Sequence, residues 1–380
     1  MRRIVAALLC SGIAAVSQAA ESDLSFSVPD IRGNVVRIDP TDETRWTVVV
    51  FVGVECPLAR LYAPRLVQLS EQFKSESIRW IGVDSNRQDS AEELLRYAEE
   101  FGLQFPLIHD TGNRLADQFG ASRTPEVFVL DRQLSVCYRG RIDDQYSPGR
   151  AKTSARQHNL KLALTQLVAG KPVVNARTEP VGCLIGRVRS SQPNARVTFT
   201  RDIAPILNEH CVECHRAGEI APFSLTEYDE VVGWADAMME SIGERRMPPW
   251  HAASSELTFR NARHVPEQHI DLLREWIESG TPEGDAADLP EVPSINDDWR
   301  LPREPDLVLS MRKRPFPIPA TGTVEYQYFV VDPKFTEDRW VTAAQVVPGN
   351  RSVVHHCIVF IRPPDGSQFR GVGWLSGFVP

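Results

Sequence analysis

Five consecutive residues, Cys211-Val212-Glu213-Cys214-His215, constrain this chain more than any other stretch. Two thiols separated by two residues sit about one helical turn apart, so both can reach the same edge of a flat partner. The imidazole that follows directly is placed to ligate a metal at that partner's centre. Cys-x-x-Cys-His is the attachment sequence of c-type haem, whose vinyl groups take the thiols and whose iron takes the His. A zinc half-site would need a second ligand pair, and Cys183, Cys357 and the scattered histidines offer none at zinc spacing. The motif therefore predicts one covalent haem on Cys211 and Cys214, with His215 as proximal ligand, a redox role, and a compartment where such haem is attached.

The N-terminus agrees with that compartment. Arg2 and Arg3 precede a short apolar run, Ile4 to Val16, and Ser17-Gln18-Ala19-Ala20 reads as a cleavage site. Residues 1–20 are expected to be a cleaved signal peptide, and the mature protein to be exported and periplasmic. Ala7-Leu8-Leu9-Cys10 is a poor lipobox because Leu9 is bulky. The apolar run falls short of the roughly 20 residues needed to span a bilayer, and no later segment is apolar enough. Of seven cysteines, Cys10 lies in the signal, leaving Cys56, Cys137, Cys183, Cys211, Cys214 and Cys357. The formal net charge of −8 argues against nucleic acid or an anionic membrane as partner.

A chain of 380 residues has length for two or three domains. From residue 24 to about 170, strand and helix patterns alternate. Trp46 to Val52, Ile78 to Val83 and Phe105 to His109 read as strands. Leu58 to Phe73, Ser90 to Phe101 and about Ser154 to Val168 read as helices, and Glu126–Leu130 with Ser135–Arg139 as a hairpin. This predicts an α/β domain over 21–170. Residues 171–197, rich in Pro and Gly, read as a linker. Residues 198–286 carry helices at Asp202–His210, Tyr228–Glu244 and Glu267–Ser279, an all-α module. A second linker covers 287–305. From 306 to 380 the pattern is β: Leu307–Leu309, Tyr326–Val331, Trp340–Val347 and Val353–Ile361.

Cys56-Pro57 stands between a buried strand and a helix start, where the helix N-terminus favours a nucleophilic thiolate. The segment from Phe51 to Pro64, with Thr124-Pro125 before a strand, resembles the thioredoxin-like superfamily, in particular its redoxin branch. The resemblance implies a thioredoxin-like α/β fold, Cys56 as nucleophile, and Pro125 as the cis-proline packed beside it. Ala59 stands where a thioredoxin has its second Cys, so a local dithiol is absent; Cys183 or Cys137 could resolve Cys56 by folding back, or Cys56 is an inert thiol in a retained fold. Val49 and Gly53 replace the Pro and Thr of the peroxiredoxin pattern Pro-x-x-x-Thr-x-x-Cys.

The stretch from Phe199 through the haem motif to Met247-Pro248-Pro249-Trp250-His251 resembles a cytochrome c module of multidomain bacterial exported proteins. It implies one-electron transfer, with Met247 as sixth iron ligand; His251, His210 and His264 are its rivals, while Met238 and Met239 fit a helix core. Arg339 to Phe360, containing His355-His356-Cys357, resembles the N-terminal half of copper type II, ascorbate-dependent monooxygenases. That implies a partial, jelly-roll-like β domain and copper at His355 and His356. The family's third His, and the His-x-His and Met of its second copper, have no counterpart after His356, so the domain is expected to be truncated or vestigial.

Together these readings predict an exported modular oxidoreductase, with a thiol-redox domain, a haem electron-transfer module and electron-donor or electron-acceptor redox proteins as partners. Two alternatives stand beside it: a non-catalytic electron-transfer or redox-sensing scaffold in which only the haem is active, and a peroxiredoxin-like thiol peroxidase.

Overall fold

The computed structural model describes residues 23–380 apart from 42–43, 251–255, 258, 260–261, 294–298, 300, 320–323, 355, 362–373 and 379–380. The segment expected to be a signal peptide and His251 lie outside the described residues.

The fold is organised around strand β3 (Trp46–Val52), whose Val48–Val52 are all buried. A run apolar on both faces suits a central strand covered on both sides. The strands preceding it, β1 (Phe26–Pro29) and β2 (Val35–Ile38), form an antiparallel hairpin. After β3 come α1 (Pro57–Gln72), β4 (Ile78–Asp84), α2 (Ala91–Phe101), β5 (Leu107–His109), α3 (Arg114–Phe119) and the short β6 (Arg123–Thr124). Strands β7 (Glu126–Leu130) and β8 (Val136–Gly140), a small hairpin of β9 (Tyr146–Ser147) and β10 (Arg150–Ala151), and α4 (Asn159–Val168) complete the domain. The main sheet has the order β5-β4-β3-β7-β8. β4 runs parallel to β3 and to β5, while β7 is antiparallel to β3 and to β8.

Alternation along β3 sorts its side chains between two cores. Val48, Val50 and Val52 pack with Tyr62, Leu66 and Leu69 of α1, Leu94 and Tyr97 of α2, and Leu160 and Leu164 of α4. Val49 and Phe51 face the other way, onto Phe26, Val36 and Ile38 of the first hairpin and Leu115 and Phe119 of α3. Phe119 sits at the centre of an aromatic group, 5.8 Å from Phe51 and 5.3 Å from Phe128. Helix α2 starts at a capping box, Ser90 with Glu93, and ends on Gly102 at φ 69°.

The stretch 171–197, read from its Pro and Gly content as a linker, is instead built into the fold. Its strand β11 (Cys183–Leu184) pairs antiparallel with β6, and Ile185 is buried in the second core. Composition reported the absence of a period, but a two-residue strand has too few residues to show one.

The helical module begins with a wide turn at Phe199–Ile203 and continues through α5 (Ala204–His210), α6 (Tyr228–Gly243) and α7 (Glu267–Glu278). Its core joins Phe199, Leu207, Val231, Trp234, Leu273 and Trp276. The module docks on the α/β domain through paired charges, Arg123 with Glu240, Arg189 with Asp236, and Arg87 with Asp229. Trp234 adds a bond, its Nε1–H donating to Glu55 Oε2 at 3.3 Å. Backbones approach closely here too, since a Cβ on Gly186 would lie 2.7 Å from the Gly233 carbonyl oxygen.

The C-terminal expectation needs correction. Among the described residues after 306, strand is confined to one antiparallel pair, β12 (Cys357–Phe360) with β13 (Trp374–Phe378). The β patterns at Leu307–Leu309, Tyr326–Val331 and Trp340–Val347 do not form strands, so no jelly-roll-like sheet is assembled among the described residues. Alternation marks a face but supplies nothing to cover it. Tyr326 is 72% exposed and Trp340 99% exposed, so neither has found a partner layer.

Phe119→Ala should lower the unfolding free energy of the α/β domain by about 3–5 kcal/mol. Chemical denaturation followed by far-ultraviolet circular dichroism would measure it. A loss under about 1 kcal/mol would mean that the aromatic group contributes little beyond its area.

Candidate thiol and haem sites

Cys56 is the N-cap of α1, with Pro57 at the first helical position. Its sulfur receives the Ala59 N–H at 3.5 Å and lies 3.0 Å from the Thr124 carbonyl oxygen, beside the cis Thr124–Pro125 peptide. The second sulfur is that of Cys183, 2.9 Å from Cys56 Sγ. Strand pairing puts it there, because Cys183 is the register partner of Thr124. Arg123 braces the same ladder, donating from Nη1 to the Gly182 carbonyl at 2.8 Å. Gly182 has no substitute in this arrangement, since a Cβ would fall 1.9 Å from the Thr124 carbonyl oxygen.

The two sulfurs differ in charge preference. Burial pushes the Cys56 thiol up, but hydrogen bonds to its sulfur, first from the Cys183 thiol and also from the Ala59 amide, bring it down to about 7. Cys183 moves the opposite way, held protonated first by its bond to the Cys56 sulfur and then by burial. A thiolate facing a thiol donor is the arrangement of a nucleophile with its resolving partner. Cys137, the other resolving candidate, lies on β8 against the first core, its sulfur 3.7 Å from the Ser135 carbonyl. Burial, then the charge of Asp131, pushes it up to about 11.

Three features around Cys56 were not read from the sequence. Glu55 is pushed up to about 7 by burial, then by the charge of Asp89, where the helical module covers it. Behind the loop, Asn86 Nδ2 donates to Asp84 Oδ1 at 2.9 Å and to Asp89 Oδ2 at 3.0 Å, and Asp89 Oδ2 also accepts from the Val54 amide at 2.9 Å. Burial and mutual repulsion raise the Asp84 carboxyl well above the usual range. The polar run Asp84-Ser85-Asn86 directly after a buried strand was the available signal. The third is the crowding at Gly53, where a peroxiredoxin has Thr: a Cβ there would come 2.7 Å from Asn86 Nδ2 and 3.2 Å from Cys56 Cβ.

The Cys211–His215 segment forms one turn at the end of α5. The Cys214 and His215 amides both donate to the Cys211 carbonyl, at 3.1 and 2.9 Å. His215 Nδ1 lies 3.2 Å from the Phe223 carbonyl oxygen, so that nitrogen carries the proton and Nε2 keeps its lone pair. The ring packs 4.7 Å from Phe223, which stacks on Trp234 at 3.8 Å. Burial lowers the His215 imidazole, favouring the neutral ligand form. Burial, then Cys214, pushes the Cys211 thiol up to about 12. Among the described residues, neither Cys211 nor Cys214 joins a cluster of three or more metal-ligand side chains, so a zinc site is not assembled around them. An oriented imidazole and two thiols on one turn fit a c-type haem.

The candidate sixth ligands scatter. Met247 is 43% exposed on the loop after α6, while Met238 is buried in the helical core and Met239 packs against it. His210 Nε2 is engaged by His269 Nδ1 at 3.0 Å, and His264 is exposed. Of the candidate copper pair, His355 lies outside the described residues, and the half-buried His356 packs 5.9 Å from Tyr326.

Residues 18–139 match the AhpC/TSA family. With the strand order, the Cys56 helix cap and the cis Pro125 already described, this decides the α/β domain. It is a thioredoxin-like redoxin domain. Among curated proteins the redoxin domain is similar to the thiol-disulfide oxidoreductase ResA of Halalkalibacterium halodurans, 22% identical over 121 residues, covering 32% of this chain and 67% of that protein. Among solved structures it is similar to an uncharacterized conserved protein from Geobacillus kaustophilus, 28% identical with a TM-score of 0.41, covering 44% of this chain and 90% of that one. A secreted Mycobacterium tuberculosis disulfide oxidoreductase is 14% identical with a TM-score of 0.30, covering 40% of this chain and 99% of that one. No helix among the described residues is long and apolar enough to cross a membrane.

In the reduced redoxin domain, the rate of Cys56 alkylation should rise with pH through a midpoint of about 7. Cys183→Ala removes the largest of the bonds that lower this thiol, so the midpoint should move upward toward the ordinary thiol value of ~8.5. An unchanged midpoint would show that Cys183 does not stabilise the thiolate.

Proposed function

We propose that this protein is a thiol-disulfide oxidoreductase whose Cys56–Cys183 pair exchanges with disulfides of partner proteins, and that its helical module carries a c-type haem for one-electron transfer. The observation that carries the thiol reading is the 2.9 Å approach of two sulfurs with opposite proton preference.

The Cys56 thiolate attacks one sulfur of a substrate disulfide, forming a mixed disulfide and releasing the first substrate thiolate. Cys183 then gives up its proton, which passes to that leaving thiolate, and attacks Cys56 Sγ. The second substrate thiolate leaves and takes a proton from solvent. Two electrons have moved to the substrate, and the Cys56–Cys183 bond holds the oxidised state. The oxidant-directed reading, a peroxidase, has less support because Gly53 leaves no room for the Thr of that pattern.

In the helical module, Cys211 and Cys214 would hold the haem covalently, His215 Nε2 would be the proximal ligand, and Met247 the proposed sixth. The group would supply single-electron redox chemistry when bound. This chain's own contribution is to fix the His215 tautomer through Phe223 and to wall the site with Phe223 and Trp234.

Cys56→Ser should abolish reduction of a protein disulfide. Cys183→Ser should leave the first attack intact and accumulate a mixed disulfide at Cys56, seen as a covalent adduct on non-reducing gels and by mass spectrometry. Turnover that survives Cys56→Ser would overturn the thiol reading. For the haem, protein exported from a host with haem-attachment machinery should gain the mass of one haem, lost in Cys211→Ala/Cys214→Ala. Met247→Ala should convert a low-spin absorbance spectrum to a high-spin one, and an unchanged spectrum would remove Met247 as ligand.

A further inference from the structure

We propose that Glu209, His210 and His269 form a binding site for one divalent transition-metal ion of the zinc type, on the helical module beside the haem motif. His210 is the last residue of α5, and His269 lies in the first turn of α7, so the two come from elements 59 positions apart in the chain. His210 Nε2 and His269 Nδ1 stand 3.0 Å apart with the rings tilted by 53°. Glu209 Oε1 lies 3.6 Å from His210 Nε2. The ligand atoms of all three residues lie within 4.8 Å of one another, and they are the one such group among the described residues.

The spacing suits a shared ion. Two ligands bound to tetrahedral zinc at about 2.0–2.1 Å stand about 3.3–3.4 Å apart, and the observed 3.0 and 3.6 Å bracket that value. Two imidazoles and a carboxylate are a donor set that zinc accepts, leaving one position for water or another side chain. With the protons on His210 Nδ1 and His269 Nε2, two lone pairs face each other across 3.0 Å, an arrangement that a cation between them stabilises. The exposed Glu209 leaves a route for the ion. Bound there, the ion would tie the end of α5, directly before Cys211, to the start of α7.

The test is calorimetric titration of the full chain with Zn2+ after its free thiols are alkylated, with Co2+ as a spectroscopic probe of the unalkylated protein. Expected are one Zn2+ per chain, affinity at least tenfold weaker in His269→Ala and in His210→Ala, and a Co2+ spectrum of nitrogen and oxygen ligands. Zn2+ should also raise the thermal midpoint of the native protein but not of the variants. If His269→Ala loses its native circular dichroism, His269→Gln keeps a polar side chain of similar size and takes its place. Absence of stoichiometric binding would overturn the proposal, as would equal affinity in the His269 variant. A thiolate-to-cobalt band with no nitrogen-ligated species would overturn it too, by putting the metal on cysteines. None of these outcomes depends on haem being present.

Discussion

The short ladder between β6 and β11 is the constraint on which the thiol site depends. It consists of two residue pairs, Arg123 with Leu184 and Thr124 with Cys183. Through it, a cysteine 127 positions away from Cys56 arrives within 2.9 Å of the Cys56 sulfur. The ladder leaves no spare volume, because the Gly182 backbone rides directly on the Thr124 carbonyl. Arg123 locks it from the side and at the same time pairs with Glu240 of α6. One arginine thus holds both the second thiol and the docked helical module.

Electrostatics divides labour among the cysteines by their surroundings. Desolvation alone pushes every buried thiol up, which is what happens at Cys137 and Cys211. Cys56 escapes because the opposing Cys183 thiol and the Ala59 amide at the helix start both favour its thiolate. The same burial that makes Cys211 a poor nucleophile in the folded chain would suit the proposed permanent bond to haem better than cycling.

Much of the α/β domain was legible because its signals are local. Trp46–Val52 is apolar on both faces, which only a central strand tolerates, and Cys56-Pro57 announces a helix start that the structure places at that residue. The helical module was legible for the same reason, through the amphipathic periods that became α6 and α7. The position of Cys183 was not, because it is set by pairing across a long separation, and β11 is too short to carry a period. Glu55 and Trp234 were missed for a related cause, since each looks ordinary until the two domains meet at their 3.3 Å bond. The C-terminal segment fails in the other direction. Its alternation is real, but a strand pattern states which face wants covering and not what covers it, and among the described residues Trp340 stays exposed.

Where the second thiol resides bears on how such a chain can be divided. Cys183 lies past α4, in a stretch whose strand β11 pairs back onto β6 of the α/β domain. On the proposed exchange, a redoxin unit excised at about residue 170, or copied into another gene at that seam, would carry Cys56 and the cis-proline but would arrive without the second sulfur of the pair. It would capture a partner covalently and then need an outside thiol to let go. On that exchange the stretch after α4 is the piece that turns a one-thiol trap into a cycling pair, and both the fold and its sulfur chemistry run on past residue 170.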